Sequence, residues 1–218
     1  VLHTIEYSES SIIVKIFTRD FGLQSYIVKG GRSKKSKNKI NIFQSLTLVE
    51  LVVTHSDNNK LERIAEINIY YPYTSIPFDF VKSSVAIFLN EVIYKSLKEG
   101  YKDEAAFDFI ESSLQILDLN MHSCANFHLI FMLQLSRYYG FYPQGVYNKQ
   151  TPHFNLQDGC FHTQLPIHAY YLGQRFSMLL FELMNANYQT MQALDINRSE
   201  RKQLLDALIL YYQLHIES

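Results

Sequence analysis

The change of hydrophobic period across Tyr71-Pro72-Tyr73-Thr74-Ser75-Ile76-Pro77 constrains this chain more than any other feature. Ahead of that breaker apolar residues alternate, and behind it they recur every three to four residues. A pattern of one period does not sit stably in the other backbone, so the chain is read as a β half followed by an α half. In Ser11–Thr18 the side chains of Ile12, Val14 and Ile16 share one face, and Arg19-Asp20-Phe21-Gly22 forms a turn whose glycine supplies a positive φ. Leu23–Lys29 returns as the second arm of a hairpin, Leu46–Thr54 is expected to be a strand buried on both faces, and Leu61–Tyr70 is the last strand. With Leu2–Tyr7 this makes five short strands in residues 1–73, the number for a small closed or nearly closed barrel of the OB-fold type. Val1-Leu2-His3-Thr4-Ile5 reads as mid-strand, so the chain is expected to lack a few native N-terminal residues.

From residue 76 to 218 the pattern predicts an all-helical domain. Val81, Val85, Phe88, Leu89, Val92, Ile93 and Leu97 mark one helix ending near Gly100, and Asp103–Leu117 marks a second. Ser123–Tyr139 is apolar almost all round and is expected to be the central helix. Residues 141–165 hold Pro143, Gly145, Pro152 and Gly159 without a period, an irregular or β-hairpin insertion, followed by helices over Pro166–Met184 and Ser199–Ile216.

A chain of 218 residues that is 47% apolar and 19% charged can bury real cores, which excludes a disordered tail. No apolar run approaches the roughly 18 residues of a membrane span, and two cysteines, Cys124 and Cys160, cannot build a disulfide framework. These features point to a soluble protein of a reducing compartment, the cytoplasm. The net charge of −1 conceals a strong asymmetry. Between Asp20 and Glu50 there is no acidic residue, yet Lys29, Arg32, Lys34, Lys35, Lys37 and Lys39 lie there, leaving fourteen basic residues against twenty-one acidic ones elsewhere, a balance of −7. One loop is therefore a basic pole.

Six cations on a Gly- and Ser-containing loop cannot all be paired internally, and clustered they attract a phosphate backbone by releasing its counterions. Small barrels bind nucleic acid with basic loops and stacked aromatics, so Tyr26, with Phe17 and Phe43, and Arg19 in the hairpin turn join the expected nucleic-acid contacts. The alternative for the loop is a solvated surface, and for the aromatics a place in the core. Gly30-Gly31 is no phosphate cradle, since neither GxGxxG nor GxxxxGK[ST] occurs. His153, Cys160, His162 and His168 lack the paired spacing of a zinc site, no GxSxG elbow is present, and Asp103-Glu104 complements a helix dipole, so neither metal nor catalytic residues are assigned.

The runs Tyr7–Leu23, Val28-Lys29-Gly30-Gly31-Arg32 and Phe43–Glu50 resemble the N-terminal domain of the RecO family of bacterial recombination mediators, and Tyr138-Tyr139-Gly140-Phe141-Tyr142-Pro143 is similar to that family's stretch before its zinc-finger insertion. The resemblance implies an OB-fold followed by a helical domain, no catalytic turnover, and binding of single- and double-stranded DNA with annealing of complementary strands. It also implies partnership with RecR, docking of the C-terminal tail of single-stranded DNA-binding protein, and help in loading RecA. Many members carry four zinc-binding cysteines where residues 141–165 offer only Cys160, so the insertion is expected to persist without metal. An acidic tail needs a basic rim, and among Lys82, Lys95, Lys98, Lys102, Arg137, Lys149 and Arg175 the guanidinium groups of Arg137 and Arg175 suit carboxylates best. The competing readings are a helical interaction scaffold whose OB domain binds a protein or RNA, and a small enzyme with a spatially assembled site.

Overall fold

The structure, a computed structural model, describes residues 1–9, 11–29, 41–54, 62–98 and 100–216. Its contacts group the chain into two compact units, Val1–Leu119 and Asn120–Ser218. The first unit holds five strands, β1 (His3–Glu6), β2 (Ser11–Thr18), β3 (Gly22–Lys29), β4 (Leu48–Thr54) and β5 (Glu62–Tyr71), and two helices, α1 (Phe80–Ser96) and α2 (Glu104–Leu119). The sheet runs in the order β1-β2-β3-β5-β4. Every pair is antiparallel except β3 with β5, where Tyr26 faces Glu62 and Ile27 faces Arg63 in parallel register. That single parallel pair is the OB-type arrangement expected from the strand count.

Alternation places Ile12, Val14, Ile16, Tyr26 and Phe43 in one core, with Val49, Leu51, Val53, Ile64 and Ile67 packed against it. The barrel is an open sheet. Near its two edges, Val1 nitrogen donates to the Thr47 carbonyl (3.0 Å) while the Val1 carbonyl accepts from Leu46 N–H (2.7 Å), and Thr4 Oγ1 donates to the Phe43 carbonyl (3.2 Å). Being an edge strand, β4 is not buried on both faces as its apolar run suggested: its residues are half-buried or exposed, and Val52 is 53% exposed.

The predicted turn glycine is confirmed, since Gly22 has φ 70°. A Cβ there would also run into the Tyr101 carbonyl, because β3 is stitched to residues 100–101 by Leu23 N–H to Tyr101 O and Gly100 N–H to Leu23 O, each 3.3 Å. Further contacts tie the helices to the sheet. Asn90 Nδ2 donates to Leu2 O (3.0 Å), His3 stacks on Tyr94, and Phe17 meets Phe107. Helix α1 starts under an Asp79 cap that accepts from Val81 and Lys82 N–H.

The breaker is fixed by a buried ion. Asp118, 2% exposed at the end of α2, accepts from the N–H groups of Thr74, Ser75 and Ile76, each at 2.8 Å, and from Thr74 Oγ1. Lys82 is not a solvated surface cation as its helix position suggested: it is 5% exposed and donates to Ser75 Oγ (2.6 Å) and to the Asp118 carbonyl (2.8 Å).

The second unit contains α3 (Phe127–Tyr138), β6 (His153–Asn155), β7 (Cys160–His162), β8 (Tyr171–Leu172), α4 (Gln174–Met184) and α5 (Arg198–His215). As predicted, α3 is the most buried helix, with eight of its twelve residues in the core. The helix expected from Pro166 begins only at Gln174, because Tyr171–Leu172 pairs with β6 in a small sheet ordered β7-β6-β8 and Gly173 forms the cap. Residues 123–126 precede α3 as a turn rather than belonging to it. Helix α5 opens with a full capping box in which Asn197 and Glu200 exchange hydrogen bonds. Tyr212 and Tyr211 donate to Met132 O and Phe141 O at 2.6 Å, tying α5 to α3 and to the stretch after it.

Candidate nucleic-acid interface

The basic segment leaves the barrel at the end of β3. Of Lys29 the backbone is described, paired with Ser11; Arg32, Lys34, Lys35, Lys37 and Lys39 lie outside the described residues. The chain re-enters at a 3-10 turn, Asn41–Phe43. Between these anchors and β5 lies a groove of about 670 Å³, with Ile27, Ile42, Ile64 and Ile67 as apolar walls and Arg63, Glu66 and Asn68 as polar lining.

Arg63 is the functional candidate that the sequence did not single out. It is exposed, sits in register with Ile27 two residues before the end of β3, and has no ion-pair partner among the described residues. Nothing local marks it, because only the non-local pairing of β3 with β5 brings it beside the basic segment.

The other expected contacts on the barrel are placed elsewhere. Tyr26 does not offer its ring to a base: it is fully buried, facing Val14 across the hairpin, and its pKa is pushed up to about 12, first by burial and then by the Glu62 carboxylate. Phe17 and Phe43 are buried as well, at 7% and 6% exposure. Arg19 is not free for a phosphate, since its guanidinium forks onto Asp108 (2.8 and 3.1 Å) and also reaches Glu104 at 3.2 Å. Those hydrogen bonds raise its pKa above the ordinary guanidinium value and depress that of Asp108.

In the second unit Arg137 lies over the Tyr142 ring, 3.8 Å from its centroid, and is exposed, whereas Arg175 is held by Glu200 at 2.8 Å. The two arginines therefore differ in availability. Lys95 pairs with Glu91 and Lys102 with Glu104.

A zinc ion does not fit the residues of the insertion. Strand β7 and the turn before it carry one thiol, one imidazole and one carboxylate: Cys160 Sγ lies 3.3 Å from His162 Nε2, which lies 3.2 Å from Asp158 Oδ2. Burial, and then Asp158, push the Cys160 thiol up, away from the thiolate a zinc ion requires. Among the described residues no group of three or more His, Cys, Asp or Glu side chains is placed to hold a metal ion. The hairpin is anchored instead by buried Phe154 and Phe161 and by Phe154 N–H donating to Ser177 Oγ (2.9 Å). Chelator treatment is expected to leave the thermal unfolding midpoint unchanged; a fall in the midpoint, or stoichiometric zinc in elemental analysis, contradicts this.

Comparison with known proteins decides the family. Residues 1–73 match the family described as Recombination protein O N terminal, and residues 77–218 match Recombination protein O C terminal. The chain belongs to the RecO family. A relative from Flavobacterium psychrophilum, DNA repair protein RecO, is 39% identical over 219 residues, spanning 100% of this chain and 90% of its own length. The proteins of the same description from Phocaeicola vulgatus and Bacteroides fragilis are each 36% identical, over 99% of this chain and 90% of theirs. The RecO boundary at 73–77 precedes α1, while the compact units divide after α2. No helix among the described residues is long and apolar enough to cross a membrane.

Proposed function

We propose that this RecO-family chain is a non-enzymatic, DNA-binding mediator of recombinational repair in the bacterial cytoplasm. It binds single- and double-stranded DNA, anneals complementary strands, and assists RecA loading together with RecR and single-stranded DNA-binding protein. The observation that carries the reading is the placement of a six-cation, acid-free segment between two strands of an OB-type sheet in a chain matched at both halves by the RecO family. A polyanion is the natural counterpart of that segment. The groove between β3, the Asn41–Phe43 turn and β5, lined by isoleucines together with Arg63, Glu66 and Asn68, supports this reading as a surface that an unstacked base can cover. Relatives matched over 90% of their own length carry the description DNA repair protein RecO.

Fluorescence anisotropy with a labelled oligonucleotide over a salt series tests it. Six neutralised phosphates give slopes of log K against log salt of at most about −4 on single strands and about −5 on duplex. Binding without salt dependence, or no binding, overturns the reading.

Arg137 supports a docking site for the partner tail on the second unit, because its guanidinium has no ion-pair partner among the described residues, unlike that of Arg175. Arg137→Ala is expected to weaken binding of an acidic C-terminal tail peptide about tenfold in calorimetry, the scale of one charge-assisted hydrogen bond. Unchanged affinity in Arg137→Ala removes that residue from the site.

A further inference from the structure

Helix α1 is apolar on two sides. Ala86, Leu89 and Ile93 on its inner side are buried, while Phe80, Val81 and Ile87 are 86%, 55% and 65% exposed, and Phe78, just ahead of the helix, is 85% exposed. A helix that is apolar all round is ordinarily covered all round. Four apolar side chains at those exposures leave roughly 450 Å² in water, the scale of the largest apolar patch on an ordinary monomer.

The charges along this side show what covers it. Phe80, Ser84, Ile87, Glu91 and Lys95 are all exposed and fall within about 80° of the helix circumference. The stripe is complementary to itself when reversed. Laid antiparallel on a second copy about a two-fold axis at Ile87, it sets Ile87 against Ile87 and the small Ser84 beside the copy's Glu91. Phe80 then lies beside the copy's Lys95, a cation against an aromatic ring. Asp79, at the start of α1, and Lys95, near its end, lie equally far from Ile87 along the chain, so the same axis brings each to its opposite charge. A parallel arrangement would instead stack Glu91 on Glu91 and Lys95 on Lys95. Within each copy the Glu91–Lys95 pair, at 3.3 Å, remains in place.

We propose that the outer side of α1 is a homodimer surface on which a second copy of this chain docks antiparallel, about a two-fold axis at Ile87. The contact is isologous and closes at two. The patch from both copies, with the stems of Glu91 and Lys95, comes to roughly 1,200 Å², the low end of a specific interface. A contact of that size dissociates with a constant on the order of 10 μM. A dimer carries two copies of the cationic segment, so under the DNA-binding reading above one particle grips two strands.

Sedimentation of the whole chain without DNA over about 1 to 200 μM is the test, and its failure leaves the DNA-binding reading standing. The mass is expected to rise from that of the monomer toward twice that value. Ile87→Glu sets two carboxylates on the axis and is expected to weaken association at least tenfold with an unchanged circular dichroism spectrum. Two cysteine variants read the register independently of that substitution. Ile87→Cys puts its thiol on the axis and is expected to give a covalent dimer on mild oxidation. Lys95→Cys puts the two new thiols about 24 Å apart along the antiparallel pair and is not, since a disulfide needs Cα atoms within about 7 Å. Both keep the native Cys124 and Cys160, so the difference between them reads the new thiol alone. A monomer mass over the whole range, a dimer that survives Ile87→Glu, or oxidation of Lys95→Cys as fast as of Ile87→Cys overturns the proposal, the first by leaving this side of α1 to a different protein.

Discussion

Changing Lys34, Lys35, Lys37 and Lys39 together to Ala flattens the salt dependence of single-strand binding by up to about 3 in the slope of log K against log salt, at about 0.7 per phosphate released. The loss is the same for every sequence, because phosphate contacts position a strand without reading it. At low salt it amounts to orders of magnitude in affinity, whereas near 1 M salt the variant and the parent converge as screening removes the term that was deleted. Circular dichroism and the unfolding midpoint should be unchanged, since the four residues lie in the segment joining β3 to β4, outside both strands. A well-folded variant that binds single strands with the parent's affinity and slope places the DNA site elsewhere. Arg63→Ala is the companion measurement: one phosphate contact removes about 0.7 from the slope.

Asp118→Ala is expected to destabilise the first unit by about 3 to 5 kcal/mol, read as a lowered urea midpoint with an unchanged m-value. The mutation leaves three backbone N–H groups, those of Thr74, Ser75 and Ile76, without their acceptor at a buried site. Against a total stability of roughly 5 to 15 kcal/mol for a domain, that is a large share. Lys82→Met, which removes the cation and keeps the carboxylate fully hydrogen-bonded, should cost less, about 1 to 3 kcal/mol. The carboxylate also makes stability depend on pH. Burial raises its pKa, but the N–H donors of Thr74, Ile76 and Ser75 outweigh that and hold it at about 2, below the 3.8 of the free side chain. A folded-state pKa below the unfolded value favours the native state above about pH 4 and loses that contribution, about 2 kcal/mol, as pH falls through 2. An Asp118→Ala variant within 1 kcal/mol of the parent, or with the same acid limb, would show that the breaker is held by packing alone.

Local patterns in the sequence carried further than non-local ones. The hairpin turn at Gly22 and the buried helix α3 follow from periods and a glycine within a few residues of one another, and the structure has both. Lys82 looked like a surface cation because its partner, Asp118, is 36 residues away and joined to it only when the breaker folds over the end of α2. The helix predicted from Pro166 was cut short for a similar reason, because Leu172 pairs with a strand that begins at His153. Tyr26 is different, since a usable signal was present. Counting back from the Gly22 turn puts Tyr26 opposite Val14, an inward residue, so its ring had to enter the barrel. Arg63 had no such signal, because the pairing of β3 with β5 has no sequence signature.

That parallel pair has a bearing on how the family can change. Because β5 lies between β3 and β4, the segment joining β3 to β4 crosses over a neighbouring strand and is not a tight turn whose length and residue types are dictated by hairpin geometry. Doubling the length of such a connection costs only about 0.6 kcal/mol in closure entropy. Cationic residues can therefore be gained, lost or respaced there through insertions and deletions while every strand keeps its register, so that grip on a polyanion can be tuned across lineages independently of the scaffold.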